Sequence, residues 1–379
     1  MSLALCIGLA GVASCGGTTP SAPSQQVATL VLPATFWRGG DVSSLTRIEQ
    51  GGAAFRDGGG AGDALAILAR SGANAFRLRL FVDPNHQDVV VNDLPYTIAL
   101  AKRVKAVGGK LLLDLHYSDT WADPGAQATP AAWQSLGIDA LEQQVEDYTA
   151  SVVSQLKAAG ALPDIVQIGN EIDDGLLWPL GKIAATGADS AASRARFGRL
   201  LSAGVRGVRR PLAAGDAVRL MLHYSQGGNA SGAQWFFDLV AQQGVAYDLI
   251  GVSYYPWWHG SVADLQGTLS ALAQRYGKDV MVVETEYPWR AGFAPSGGSV
   301  AAMTWPATPA GQTQFLRDVL AAVIATPGGH GAGVLWWYPE AVRVPSLAVW
   351  GDGAVALFDD AGTVLPAAAL SRGTEASKP

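Results

Sequence analysis

The chain has 379 residues, 49% hydrophobic and 15% charged, with a formal net charge of −6. That size and composition allow one large domain or two modest ones and exclude an intrinsically disordered chain. The mild acidic balance leaves no broad basic field, which excludes nucleic acid as a partner.

The N-terminal stretch MSLALCIGLAGVASCGG is a short apolar run ending in small residues. It reads as a secretory signal over residues 1–15, too short for a membrane span. Val12-Ala13-Ser14-Cys15 matches a bacterial lipobox, although no Lys or Arg precedes the apolar run. The expected product is secreted to the cell surface or periplasm and lipid-anchored through Cys15; a signal that is cleaved without lipidation is the alternative. Cys6 and Cys15 are the two cysteines, so no disulfide is expected beyond them. Residues 16–33 read as a Gly/Pro/Ser-rich tether, 34–370 as the folded domain and 371–379 as a disordered tail. The protein is expected to be a monomer. No other segment reaches the ~18 apolar residues that a membrane helix needs.

Strand-like runs follow at regular separations: 35–40 (TFWRGG), 74–82 (NAFRLRLFV), 110–118 (KLLLDLHYS), 164–172 (DIVQIGNEI), 218–225 (VRLMLHYS), 247–256 (YDLIGVSYYP), 280–288 (VMVVETEYP) and 333–339 (GVLWWYP). Helical patterns separate them. The clearest places Leu141, Val145, Tyr148, Val152 and Leu156 on one stripe; others span 62–72, 97–107, 193–208, 264–277 and 312–326. Eight repeats of strand and helix predict a single-domain α/β fold, a (β/α)8 TIM barrel. A doubly wound open sheet is the rival, with about six strands as its norm. The Gly-rich 56–62 (RDGGGAG) lacks a Gly-Lys-Ser/Thr ending and follows no strand, so it reads as a loop.

Polar or aromatic residues stand late in the strands: Arg79, His116, Asn170-Glu171, His223, Tyr254-Tyr255, Glu284 and Trp337. In such a barrel the active site forms at the carboxyl ends of the strands. Glu171 and Glu284 end the fourth and seventh strands, on opposite sides of the mouth, so both can point into one cleft. Two carboxylates flanking a bond are what glycoside hydrolysis requires, and Asn170 is placed to bond a sugar 2-hydroxyl. The competing structural reading is a pair of buried salt bridges with Arg77, Arg79 or Lys182. The five histidines form no H-x-H or H-E-x-x-H, and G-x-S-x-G and dinucleotide fingerprints are missing. Carboxylate chemistry leads, with no metal and no cofactor expected. Twelve tryptophans suit a surface that stacks on neutral sugar rings.

These residues also carry a resemblance. LDLHYSDTWADPGAQATPAAW (113–133), VQIGNEIDDGLLWPLGK (166–182), IGVSYYPWWHG (250–260) and VVETEYPW (282–289) resemble the glycoside hydrolase family 53 endo-β-1,4-galactanases. FWRGGDVSSL (36–45), NAFRLRLFVDP (74–84), GVLWWYPEAV and WGDGAVALFDDAGTVLPA extend the likeness over roughly residues 35 to 370. The resemblance implies a retaining enzyme of clan A acting on pectic galactan or type I arabinogalactan. Glu171 would then be the acid/base and Glu284, in Glu284-Thr285, the nucleophile. Arg79 and Tyr255 would keep Glu284 ionised and aimed. His116 and Asp119 of the HYSD stretch, with Trp121, would be walls and sugar-hydroxyl contacts near the cleavage point, and Trp258, His259 and Trp337 would line the groove. Another clan A endo-glycanase, acting on mannan or cellulose, and a glycan-binding surface lipoprotein without turnover are the alternatives. Two departures stand out. Glu286 occupies a place where the family more often has a small residue, and from there it is expected to perturb Glu284 by like-charge repulsion. The 290–311 segment has no acidic residue, so no calcium is expected where several bacterial relatives carry an Asp-rich loop.

Overall fold

The computed structural model describes residues 30–369 and 374–375. The signal region, Cys6, Cys15 and most of the expected tether and tail lie outside the described residues. Of those two segments, Val31–Leu32 and Thr374–Glu375 pair in parallel.

Eight parallel strands close into a barrel. In chain order they are β1 (Trp37–Asp41), β2 (Ala75–Leu80), β3 (Lys110–Leu115), β4 (Ile165–Ile168), β5 (Arg219–Tyr224), β6 (Leu249–Tyr254), β7 (Asp279–Thr285) and β8 (Gly331–Trp337). Each pairs with the next, and β8 pairs with β1 to complete the ring. The intervening helices include α1 (Leu45–Gln50), α2 (Ala64–Arg70), α3 (Leu94–Ala106), α4 (Ile138–Ala158), α5 (Ser190–Arg209), α6 (Ala230–Gln242), α7 (Pro256–His259), α8 (Val262–Tyr276) and α9 (Pro309–Ile324). Their starts are chemically marked. Asp63, Asp93, Asn229, Ser261 and Thr308 each accept a backbone N–H of the first turn, worth about 1 kcal/mol apiece. The fold class and all eight strands are as the sequence predicts. Some details differ. The segment read as a loop is a hairpin, Phe55–Asp57 against Gly60–Gly62, and α1, α6 and the short α7 have no counterpart among the sequence-predicted helices.

Strand alternation builds the interior in layers. One face of each strand packs outward on the helices, as Phe76, Leu78, Leu113, Val166, Leu222, Val252 and Val282 do. The inward face begins with an apolar floor of Trp37, Ala75, Leu112, Ile165, Met221, Leu249, Met281, Val283 and Leu335. Gly251 makes room in this floor; a Cβ there would lie 2.8 Å from the Met221 sulfur. Two residues further along the same faces the side chains turn polar: Arg77, Asp114, Gln167 and His223. The barrel thus has a dry bottom and a charged top.

Candidate active site

The charged layer is organised by Arg77, which is fully buried. Its Nη1 lies 3.1 Å from Asp41 Oδ2 and 2.8 Å from Glu284 Oε1. Its Nη2 donates to Asp114 Oδ2 at 2.9 Å and to Asn170 Oδ1 at 2.7 Å. Burying a guanidinium is costly unless carboxylates surround it, and here they do. Glu284 reaches this layer through a backbone irregularity. The β6–β7 register shifts between Val282 and Glu284, so Glu284 stands opposite Ser253 and faces the interior although Val283 does too. The second oxygen of Glu284 accepts the Tyr255 hydroxyl at 2.9 Å.

Glu171 sits beyond the end of β4. Gly169 leaves the strand with φ +80°, and Glu171 itself has φ 48°, a left-handed conformation uncommon for a side chain of this size. Strain of this kind collects at functional sites. Glu171 has no cation partner like that of Glu284. Its Oε1 meets the Ser253 hydroxyl at 2.6 Å, and Ser253 Oγ lies 2.9 Å from His223 Nε2. His223 Nδ1 in turn is 3.0 Å from Asn170 Oδ1. Burial and the charge of Arg77 push His223 well below its ordinary range, so it is neutral. A neutral imidazole has one N–H: on Nδ1 it donates to Asn170 Oδ1 and Nε2 accepts from Ser253, whereas on Nε2 it donates to Ser253 and Nδ1 accepts from Gln167 Nε2. When Glu171 is protonated it donates toward Ser253, and when ionised it accepts from it.

The two carboxylates are therefore unequal. Burial, then the charge of Glu284, pushes Glu171 well above the usual carboxylate range. Burial raises Glu284 to about 7, against the opposing Arg77 charge and Tyr255 hydrogen bond. Glu284, with the Arg77 charge beside one oxygen and the Tyr255 hydroxyl donating to the other, is the first to lose its proton, while Glu171 holds its own. One oxygen of each, with a ring nitrogen of His223, lie within 4.8 Å of one another. This is the one grouping among the described residues close enough to hold a metal ion, and its polar atoms already serve the network above. The 290–311 segment has no carboxylate to offer calcium. It is tied down by protein groups: Trp258 Nε1 donates to Ser296 O, Trp289 Nε1 to Gly353 O and Arg290 to Asp352 O.

The pair opens into a cleft of about 740 Å³, lined among others by Trp121, Asn170, Tyr255, Trp258, His259, Trp337, Tyr338 and Trp350. Six of the sequence-predicted supporting residues therefore meet the cleft. Three do not. Arg79 is not the partner of Glu284: Arg77 is. Arg79 lies one layer further out, where its guanidinium carbon sits 4.3 Å from the Trp121 ring and 5.6 Å from that of Trp337, bracing the aromatic wall. His116 is buried beneath the wall, with Nε2 2.9 Å from Asp114 and Nδ1 accepting from Ala122 N. Asp119 ties two loops by accepting from Asp83 N and Ala131 N. Asn170 spends its oxygen on Arg77 and one amide hydrogen on Ala122 O, which leaves one hydrogen for a sugar. Lys182 pairs with neither glutamate; it lies over the Trp178 ring at 3.9 Å.

With this geometry on hand, the likeness to known proteins has a physical footing. The profile of glycosyl hydrolase family 53 matches residues 37–370. The chain belongs to that family. It is thus a glycoside hydrolase. It is 39% identical over 318 residues to a probable arabinogalactan endo-β-1,4-galactanase A of Aspergillus terreus, covering 82% of this chain and 87% of that protein. A family 53 catalytic domain from Ignisphaera aggregans superposes with a TM-score of 0.82 at 34% identity, covering 91% of this chain and 98% of that one. A structure from work on two fungal β-1,4-galactanases gives 0.79 at 32% identity, with 89% and 99% covered.

Proposed function

We propose that the chain is an endo-β-1,4-galactanase that cuts pectic galactan or type I arabinogalactan by a retaining double displacement. The observation that carries this reading is Glu171 facing Glu284, with one oxygen of each within 4.8 Å of the other. That spacing fits a nucleophile in direct contact with the sugar, whereas inverting enzymes keep their carboxylates roughly 6.5–9.5 Å apart to admit a water. The names of the family relatives supply the substrate class. Glu284 attacks the anomeric carbon as Glu171 protonates the departing glycosidic oxygen, and the C–O bond breaks to give a glycosyl ester on Glu284. Glu171, now ionised, takes a proton from water. That water attacks the same carbon and releases Glu284.

Incubation with linear β-1,4-galactan beside mannan, xylan and cellulose tests the assignment. Short galacto-oligosaccharides from galactan, with little from the others, are expected; no release from galactan would overturn it. We also propose that the protein is exported and lipid-anchored at Cys15, a reading supported by the Val12-Ala13-Ser14-Cys15 motif. Incorporation of labelled fatty acid that is lost in Cys15→Ala is the expected result, and an unlabelled wild type would contradict it.

A further inference from the structure

Trp350 is a cleft residue that the bond-breaking steps do not use. It lies in the segment after β8, lines the cleft beside Val349 and Gly351, and is 39% exposed. Its ring edge is nonetheless held from inside the protein. Nε1 donates to Glu286 Oε1 at 2.7 Å. Glu286 follows Glu284 by two residues and is completely buried. Its other oxygen, Oε2, has no hydrogen-bond partner. The influences on this carboxyl are burial, the indole and the charge of Glu284, with no cation among them. An ionised carboxylate in that setting would be a buried, unpaired charge, so the group is neutral and does not repel Glu284 as the sequence suggested. An apolar residue would fill the position without that penalty. What the carboxyl adds is a directed acceptor for one indole N–H. Phe293 completes the seat, edge-on to Trp350 at 6.5 Å and itself packed on Trp257 at 5.1 Å.

We propose that Trp350 is a sugar-stacking platform of the cleft and that Glu286 is a positioning residue that fixes the plane of its ring. The axial 4-hydroxyl of β-galactose leaves one face of the ring with an apolar C–H patch, and an indole face is its natural partner. This inference rests on the galactan reading of the cleft.

The test is steady-state kinetics on galactan and on galacto-oligosaccharides of increasing length, with folding checked by thermal unfolding. Trp350→Ala should raise KM by roughly 3- to 10-fold with kcat within about 2-fold, the effect of losing one stacking contact. Glu286→Leu should raise KM in the same direction although it leaves the exposed ring in place. Glu286→Gln, whose amide oxygen still accepts the indole hydrogen, should bring KM back toward the wild-type value. Trp350→Phe keeps a face but has no N–H, so adding Glu286→Leu to it should change KM no further. An unchanged KM in Trp350→Ala overturns the platform. Glu286 variants that lower kcat at constant KM, glutamine included, overturn the positioning role and assign Glu286 to the charge balance of Glu284. If Glu286→Leu does not fold, Glu286→Gln and Trp350→Phe decide the matter: a KM change in the glutamine variant as large as in Trp350→Ala refutes the hydrogen-bond account. Should the wild type cut another β-glycan and not galactan, the galactan reading fails, and the same variants on that glycan decide the platform separately.

Discussion

Tyr255→Phe removes a single oxygen from the wall of the site. In the wild type that hydroxyl donates to Glu284 Oε2 at 2.9 Å, while Arg77 Nη1 faces the other oxygen at 2.8 Å. Burial, then the charge of Glu284, pushes the phenol well above its ordinary range, so it is a donor at every working pH. A hydrogen bond to a charged group contributes about 1.5–3 kcal/mol, which corresponds to roughly 10- to 150-fold in rate. The loss falls unequally on the two steps. Attack discharges the Glu284 carboxylate, and its return as a leaving group restores the charge that Tyr255 stabilises. Deglycosylation should therefore slow more than glycosylation. Stopped-flow measurements with an aryl β-galactobioside carrying a good leaving group should show a burst of phenol followed by a slow steady state. The acid limb of the pH–rate profile should also move upward. Burial raises Glu284 while the Tyr255 bond acts to lower it, so without that bond a higher pH is needed to ionise the carboxylate. A variant with wild-type kcat, no burst and an unmoved acid limb would refute this account of the nucleophile.

Other substitutions separate the remaining roles. Glu171→Gln should slow hydrolysis of unactivated galactan by roughly 10²- to 10⁴-fold yet keep the first-step burst on an aryl glycoside, with azide restoring turnover as a β-galactosyl azide; loss of the burst would contradict its role as acid/base. Asp173 adds a charge that raises Glu171, so Asp173→Asn should move the basic limb of the profile to lower pH, and an unmoved limb would count against that coupling. Glu340 is raised from 4.5 to about 8, chiefly by burial and next by the Asp41 charge. Over that interval the folded chain holds a proton that the unfolded chain has lost. Its contribution to stability is full below about pH 4.5 and is lost as pH rises through about 8. Unfolding temperatures should thus fall over this range and fall less steeply in Glu340→Gln, as scanning calorimetry would show.

The barrel was legible because its strands are dense in branched residues and its helices keep a regular apolar stripe, as in α4. That Glu171 and Glu284 would face one cleft was legible because both end strands on opposite sides of the barrel mouth. Arg77 was harder to place. It and Arg79 share the inward face of β2, and only the depth of each in the barrel decides which one reaches Glu284. The register shift that turns Glu284 inward has no signature in the sequence, and neither does the left-handed turn at Glu171. Asp119 looked like a sugar contact because it sits in the HYSD stretch, but its position past the end of β3 sends both oxygens to backbone N–H groups. Trp350 lies in a closing segment without periodicity, so nothing local linked it to Glu286, 64 residues earlier.

In the proposed mechanism Glu284 attacks the sugar itself while Glu171 carries the proton. Proton NMR of the newly formed reducing ends during the first minutes on linear β-1,4-galactan tests it most directly. The account predicts that β-anomeric signals appear first and that α signals grow only as the products mutarotate. Initial release of the α-anomer would mean that water, not Glu284, attacks the anomeric carbon, and would contradict it.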